Sequence, residues 1–333
     1  MTDAKSFVVI GGGTGTFSVL QGIKKYSENI TAVVSMADSG GSAKKERDEW
    51  GLLPSSDIRK SLLALADVSD RDNLILRKLF EYRFAKGIGL SGMTFGNLFL
   101  VALSEITKSQ KNAINMASEL LRVKGKVLPV SFDNVHLSAE YEDGSQITGE
   151  HNIDEPKHNG KIKITRLFTV PQASANPEVI SEIKSADVLI IGPGGFYTTV
   201  IANLVVDGVP QAIKASHAKK IFILNLMTEF GQTYGFTAAT FIRELNKYMD
   251  LNLLDYLLIN NKPIPANIIK KYKKSQAEPV VNDIKGNHSF KVVSVDILSE
   301  KRIKREKGDT LNRSLIRHDS DKIARVCLKL VGF

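Results

Sequence analysis

The sequence predicts an α/β protein: a doubly wound, mostly parallel Rossmann-like sheet with a small antiparallel β excursion and a C-terminal cap. Three observations carry this. Short, predominantly apolar runs recur at residues 7–10, 30–36, 187–191, 221–226 and 254–259, as expected of strands covered on both faces. Most of them end in glycine or small polar residues. Stretches with helical spacing separate them. With 333 residues, 43% of them hydrophobic, the chain can bury a sizeable core. We read residues 1–333 as a single domain, with residues 126–170 as the excursion and 262–333 as a basic cap.

The chain opens with FVVIGGGTGTFSVLQGIKKY. Residues 7–10 form a strand, residues 11–15 a glycine turn, and the following helix carries Phe17, Leu20 and Ile23 on its apolar side. Gly11, Gly12, Gly13 and Gly15 leave no side chains over the helix start, so bare N–H groups and the positive helix end favour a phosphate there. Thr14 and Thr16 add hydroxyls. A second strand, residues 30–36, leads into Asp38, Ser39, Gly40, Gly41 and Ser42. An acidic residue after a second strand is where dinucleotide-binding folds grip ribose hydroxyls. Here, however, Thr16 stands where the third glycine of that fingerprint belongs, and the glycine pair after Asp38 suggests a second backbone cradle.

Further helices are expected from Pro54, with Ile58, Leu62 and Leu65 on one face, over residues 74–84, and after Gly96 and Asn97. Residues 44–50 read as a charged surface segment. Alternating runs at 127–132, 136–141, 146–149 and 161–168, with a turn at 142–145, predict the antiparallel excursion, read as having no chemistry of its own. His136, His151 and His158 lack metal-ligand spacing. At residues 192–199 the strand–glycine–helix grammar returns, with Gly192, Gly194, Gly195, Thr198 and Thr199. Two such turns predict one cleft at the carboxyl ends of the strands. The last strand is expected at 290–297 and a closing helix near 319–330.

Composition narrows the function classes. The net charge is +9, and residues 262–333 alone carry 17 Lys and Arg against 8 Asp and Glu, a surplus of nine. The remainder is therefore neutral. Without a nucleic-acid module, this basic segment reads as solvated surface that draws anionic ligands toward a cleft, not as a nucleic-acid site. Its clusters are Lys270, Lys271, Lys273 and Lys274, and Lys301, Arg302, Lys304 and Arg305. No apolar run reaches the ~18 residues of a membrane span, and the start MTDAKSFVVIGGG lacks a secretory signal. The single cysteine, Cys327, sits in an apolar segment, reads as core, and fits a reducing cytoplasm. Gly-x-Ser-x-Gly and a lysine after the first glycine turn are both lacking. Asp38 is the one carboxylate placed to act, as a Mg²⁺ ligand beside phosphates or as a base.

Long motifs then point to a family. GGGTG, MADSGGS, RDEWGLLPSSDIRKSLLALAD, LSGMTFGNLFLVALSEIT, KVLPVSF, ADVLIIGPGGFYTTVIANLVVDGV, LNLMTEFGQTYGFTA, DYLLINNKPIP and LIRHDSDKIA cover nearly the whole chain. Together they resemble the CofD-like superfamily of 2-phospho-L-lactate transferases, and within it the gluconeogenesis-factor (YvcK-like) branch. The resemblance implies a UDP-sugar ligand, UDP-N-acetylglucosamine, and a cytoplasmic role in cell shape and cell-wall precursor control. It implies site roles for Gly11–Gly13, Thr14, Gly15, Asp38, Ser39, Gly40, Asn97, Gly192, Gly194, Gly195, Thr228, Tyr272 and Arg317, with Asp57 and Arg59 beside the ligand. The transferase branch implies instead phospholactyl-type transfer from a nucleotide diphosphate-linked donor with Mg²⁺ and Asp38. Two positions depart from the family: Gly195 stands for a usual Ser, and Ser39 for a frequent second acid. An NAD(P)-binding oxidoreductase with Asp38 on the ribose is the third alternative. A homo-oligomer, a dimer, is expected, with the excursion as one candidate contact.

Overall fold

The computed structural model describes residues 5–69, 71–87, 89–301 and 314–332, the side chains of residues 41–44 excepted. Of the second basic cluster, Arg302, Lys304 and Arg305 lie outside the described residues.

Seven strands form the main sheet: β1 (Phe7–Gly11), β2 (Ile30–Val34), β3 (Lys126–Pro129), β7 (Val188–Ile191), β8 (Lys219–Ile223), β9 (Tyr256–Asn260) and β10 (Lys291–Val295). Their order is β10-β9-β8-β7-β1-β2-β3, every neighbouring pair parallel. Strands β4 (His136–Tyr141), β5 (Gln146–Thr148) and β6 (Ile164–Val170) form a separate antiparallel sheet in the order β5-β4-β6.

The reason the main strands are apolar throughout is visible in how they divide between two cores. Val8, Ile10, Leu189, Ile191, Phe222 and Leu257 enter one hydrophobic cluster. Their neighbours Phe7, Val9, Val188, Ile190, Ile221 and Leu258 enter another. Alternate residues of one strand thus bury on opposite faces, each covered by helices, as in a doubly wound sheet. From β1 the chain winds outward through β2 and β3. It then returns to the other side of β1 and continues through β7 to β10. The order of winding reverses between β1 and β7, the switch point where open α/β sheets bind ligands.

Two expectations need correction. Residues 126–129 do not belong to the excursion: they are β3, at the edge of the main sheet beside β2. Val127 and Leu128 bury into opposite cores, the mark of a two-sided strand that a short alternating run had masked. The excursion therefore spans His136 to Val170. The basic C-terminal segment is likewise woven into the body. It supplies β10 and the closing helix Ser320–Leu330, capped by the Asp319 carboxylate, which accepts from the Asp321 and Lys322 N–H groups. Cys327 on that helix is fully buried, and burial pushes its thiol up to about 12.

The closing helix packs on the helix Gly13–Ile23 at Gly22, where a Cβ would meet the Ser320 carbonyl oxygen at 2.1 Å. A backbone oxygen cannot turn aside. Gly22→Ala should therefore lose about 1–2 kcal/mol of stability net, overpacking outweighing the better helix propensity of alanine. The urea midpoint measures this, and an unchanged or raised midpoint would show that the two helices separate freely.

Candidate functional site

A cavity of about 380 Å³ opens at the carboxyl ends of β1, β2 and β7. Gly13, Ser35, Asp38, Gly40, Thr198 and Thr199 line it from the sheet ends, and Asp57, Arg59 and Lys60 from the helix Ser56–Leu65. Opposite stand Glu150, His151, Asp154 and Glu155.

The two glycine turns are interlocked beneath it. A Cβ on Gly15 would lie 2.4 Å from the Pro193 carbonyl oxygen, and one on Gly194 3.0 Å from the Gly12 carbonyl oxygen. Thr16 Oγ1 donates to the Pro193 carbonyl at 3.3 Å. Asn203, fully buried, donates through Nδ2 to the carbonyls of Gly11 (3.1 Å) and Thr199 (2.6 Å). Asn225 donates to the Gly194 carbonyl at 2.7 Å. The first turn feeds the helix Gly13–Ile23, and the second feeds the π-helical turn Phe196–Ile201 and its continuation Ala202–Leu204. Two helical starts thus face one cavity, each adding partial positive charge.

Carboxylates surround this positive floor. Asp38 Oδ1 accepts from the Gly40 N–H at 2.9 Å. Burial raises the Asp38 carboxyl above its ordinary value, the nearby Lys60 ammonium opposes this, and Asp57 adds to it. Asp57 pairs with Lys60 at 2.7 Å. Burial, with the charges of Asp38 and Asp154, holds the Glu150 carboxyl well above its ordinary value. Among the described residues, no three His, Cys, Asp or Glu side chains are placed to hold a metal ion. Ser39 is engaged with the excursion instead. Its hydroxyl accepts from the His151 N–H at 2.9 Å, while its own N–H donates to Glu150 at 3.3 Å. Ser39 thereby latches the Asp38 loop onto the excursion. The donor set among the described residues does not by itself fit a protein-held Mg²⁺.

The excursion therefore does carry site residues, contrary to the expectation that it had no chemistry of its own. Its helix Glu150–Asp154 forms the far wall of the cavity. Nothing local in the sequence marks those side chains, because only tertiary docking through Ser39 brings them there. Asn203 lies inside the motif of residues 186–209, where no spacing singles it out; its role comes from lying one helical turn beyond Thr199.

Of the residues expected at the site, Gly13, Asp38, Gly40, Asp57 and Arg59 line the cavity. Gly11, Gly12, Thr14, Gly15, Gly192, Gly194 and Gly195 belong to the interlocked turns around its floor. Asn97 lies behind the wall, 1% exposed. It donates to Glu46 Oε1 at 2.6 Å, and its Oδ1 accepts from Arg59 Nε at 2.7 Å, so it aims Arg59 and does not itself line the cavity. Glu46, in the segment expected to be surface, is fully buried, and burial lifts its carboxyl to about 7 against hydrogen bonds from Ser55 and Asn97. Asp57 opens the helix Ser56–Leu65 without serving as its N-cap, which is Ser55.

Thr228, Tyr272 and Arg317 form a separate group beside the ends of β8 and β9. Thr228 is clasped to Glu278 by its N–H and hydroxyl. The Tyr272 hydroxyl accepts from the Leu315 N–H at 2.8 Å, and its ring packs with Leu226, Met227 and Leu298. The Arg317 carbonyl accepts from the Ser299 N–H at 2.9 Å. His318, next to it, is buried with Nε2 3.1 Å from the Leu224 carbonyl oxygen at the end of β8. Between this group and the cavity lies Glu229, whose carboxyl burial and the Asp154 charge lift to about 8.

Residues 7–300 match the family described as 2-phospho-L-lactate transferase CofD. The chain belongs to the CofD family. Gluconeogenesis factor from Bacillus subtilis is 37% identical over 332 residues, covering 99% of both chains. A putative gluconeogenesis factor from Nostoc is 40% identical over 98% of this chain and 68% of its own length. A crystal structure of a UPF0052 family member from Bacillus halodurans superposes with a TM-score of 0.87 at 35% identity, covering 98% of this chain and all of that one. Among the described residues, no helix is long and apolar enough to cross a membrane.

The burial of His318 has a pH consequence. Its imidazole is held down to about 4 from an ordinary 6.5, with burial opposed by the Leu224 carbonyl. Because the unfolded chain takes up the proton first, this contribution is intact above 6.5 and fades as pH falls toward 4. The full loss amounts to about 3 kcal/mol. Urea unfolding at pH 7 and pH 4.5 should show this acid-side loss in the wild type and a smaller one in His318→Gln. Equal pH dependence in the two would contradict it. Glu46, raised in its folded state, acts in the opposite sense and favours the fold on the acid side.

Proposed function

We propose that this chain binds a nucleotide diphosphate-linked sugar, with UDP-N-acetylglucosamine as its ligand, and regulates the flow of carbon into cell-wall precursors and cell shape in the cytoplasm. The observation that carries the reading is the interlock of the two glycine turns at the switch point. Neighbouring phosphates can lie across the two helical starts, each facing bare N–H groups. The diphosphate lies over residues 11–15 and 192–195, and the sugar lies toward the polar wall of Asp38, Asp57, Glu150 and His151. Arg317 pairs with the diphosphate, since its guanidinium fork suits phosphate oxygens, and Tyr272 belongs to the same ligand region. The gluconeogenesis-factor relatives support the regulatory half of the reading, and the lone cysteine supports a reducing compartment.

One observation favours a second reading. Asp38 faces the cavity with a carboxyl that burial raises above its ordinary value against the Lys60 ammonium, a placement open to proton transfer in a phospholactyl-type transferase. Nothing in the site favours hydride transfer.

Isothermal titration calorimetry with UDP-N-acetylglucosamine, GDP and NAD, each with and without Mg²⁺, separates the readings. The regulatory reading expects metal-independent binding of the UDP-sugar above the others, and Asp38→Ala to leave that affinity within about threefold, under 1 kcal/mol. Gly15→Ala should weaken it by at least about tenfold, about 1.4 kcal/mol, by driving the turns apart at Pro193. A preference for GDP that requires Mg²⁺, with turnover lost in Asp38→Ala, would replace this reading with the transferase.

A further inference from the structure

The helix Gly41–Trp50 follows the Asp38 loop and is held to the protein by polar bonds. Among its described side chains, residues 45–50, Trp50 alone is apolar, and it joins none of the hydrophobic clusters. A helix usually docks by burying an apolar stripe. Here three successive residues dock it instead. Glu46 is fully buried, and its two carboxylate oxygens accept from the Asn97 amide at 2.6 Å and the Ser55 N–H at 2.7 Å. Lys45 lines the cavity and donates to the Gly89 carbonyl at 2.6 Å, in the rim that continues through Ser91 and Gly92. Arg47 reaches the other way, donating to the Val135 carbonyl, with its guanidinium 3.1 Å from His136 Nδ1 on the excursion. The helix thus bridges the rim and the excursion. Fixed points lie on either side of it. Before it, Ser39 is latched to the excursion. After it, Leu53 is buried, and its N–H and carbonyl both bond to the Gln110 side chain, at 3.2 and 3.0 Å. Between the helix and Leu53 stands Gly51 at φ 64°, a left-handed position that glycine adopts freely.

We propose that this helix is a strap that closes over the bound ligand, with Glu46 as its buried anchor and Lys45 as the residue it delivers to an anionic oxygen of the diphosphate. The inference rests on the reading that a nucleotide diphosphate occupies the cavity. Lys45 supplies the driving force. Its ammonium is bonded to a carbonyl of an exposed residue, and it gains more from a phosphate oxygen, where both partners are charged. A bound diphosphate therefore favours the closed position over the open one. Glu46 makes the closed position specific, because each of its oxygens meets an N–H already in place on the wall. A segment held by polar bonds and little apolar contact belongs to the least stable part of a fold, the part from which moving elements are drawn. Asn97 couples the strap to the wall. The amide that donates to Glu46 also accepts from Arg59 Nε at 2.7 Å, so docking of the strap and the aim of Arg59 go together.

Trp50, the chain's one tryptophan, ends the strap 37% exposed and reports its position. The test titrates the full chain with UDP-N-acetylglucosamine and, separately, with inorganic pyrophosphate. Binding is read by calorimetry, closure by Trp50 emission and by the rate of trypsin cleavage after Lys45 and Arg47. The proposal expects a saturable emission change and cleavage at least about fivefold slower with either ligand, since cleavage follows the open population. Lys45→Ala should bind each ligand at least about tenfold more weakly, the usual loss of a bond to a charged group. Glu46→Gln keeps the side-chain volume but leaves one oxygen for two N–H donors. It should weaken binding to a similar degree and speed cleavage of the free protein, with an unchanged far-UV spectrum. In the double variant the two losses should not multiply, because Lys45 reaches the ligand only when Glu46 is docked. Calorimetric binding with unaltered emission and cleavage overturns the strap while leaving the ligand reading in place. So does an unchanged affinity in Lys45→Ala, or losses that multiply in full. A wild type that binds neither compound overturns both.

Discussion

Everything that positions the candidate site depends on the close approach of two glycine turns. Because Gly15 has no side chain, the start of the first helix can rest on the Pro193 carbonyl; because Gly194 has none, the second turn can close over Gly12. Asn203 then ties the two by donating one amide group to the Gly11 and Thr199 carbonyls. Each of these contacts is possible only because β1 and β7 are direct neighbours, paired from Phe7 with Val188 to Ile10 with Ile191. The sheet's order of winding, and not either turn alone, makes a single cavity from two segments some 180 residues apart in the chain.

Around that floor the chain balances charge at close quarters. Two helical starts and Lys60 favour an anion, while Asp38, Asp57 and Glu150 stand against the same space. Burial raises the Asp38 and Glu150 carboxyls above their ordinary values, and the Lys60 ammonium acts against this at Asp38. Ser39 gives this arrangement its shape. By accepting from the His151 N–H it fastens the excursion over the Asp38 loop, turning a small sheet on the periphery into a cavity wall.

How much of this was legible in the sequence follows from the range of the interactions. The parallel strands were legible because burial on both faces leaves an apolar run such as residues 7–10 or 188–191 with no polar interruption. The glycine turns were legible for a local reason too, since close backbone approach demands glycine whatever the partner. Residues 126–129 were misassigned because four residues at a sheet edge are too few to separate alternation from two-sided burial. Glu150, His151 and Asn203 were not legible as site residues, because what makes them so is a tertiary contact that no local spacing encodes. The motif resemblance placed Thr228, Tyr272 and Arg317 in the ligand region; they cluster beside β8 and β9, apart from the cavity wall.

The central claim, that both glycine turns cradle one diphosphate, is tested most directly by hydrogen–deuterium exchange of the backbone amides in residues 11–16 and 192–199. Exchange would be followed with and without UDP-N-acetylglucosamine. The account predicts that both segments gain protection together and with the same ligand dependence. Protection of one turn while the other exchanges as in the free protein would contradict it, whatever the affinity.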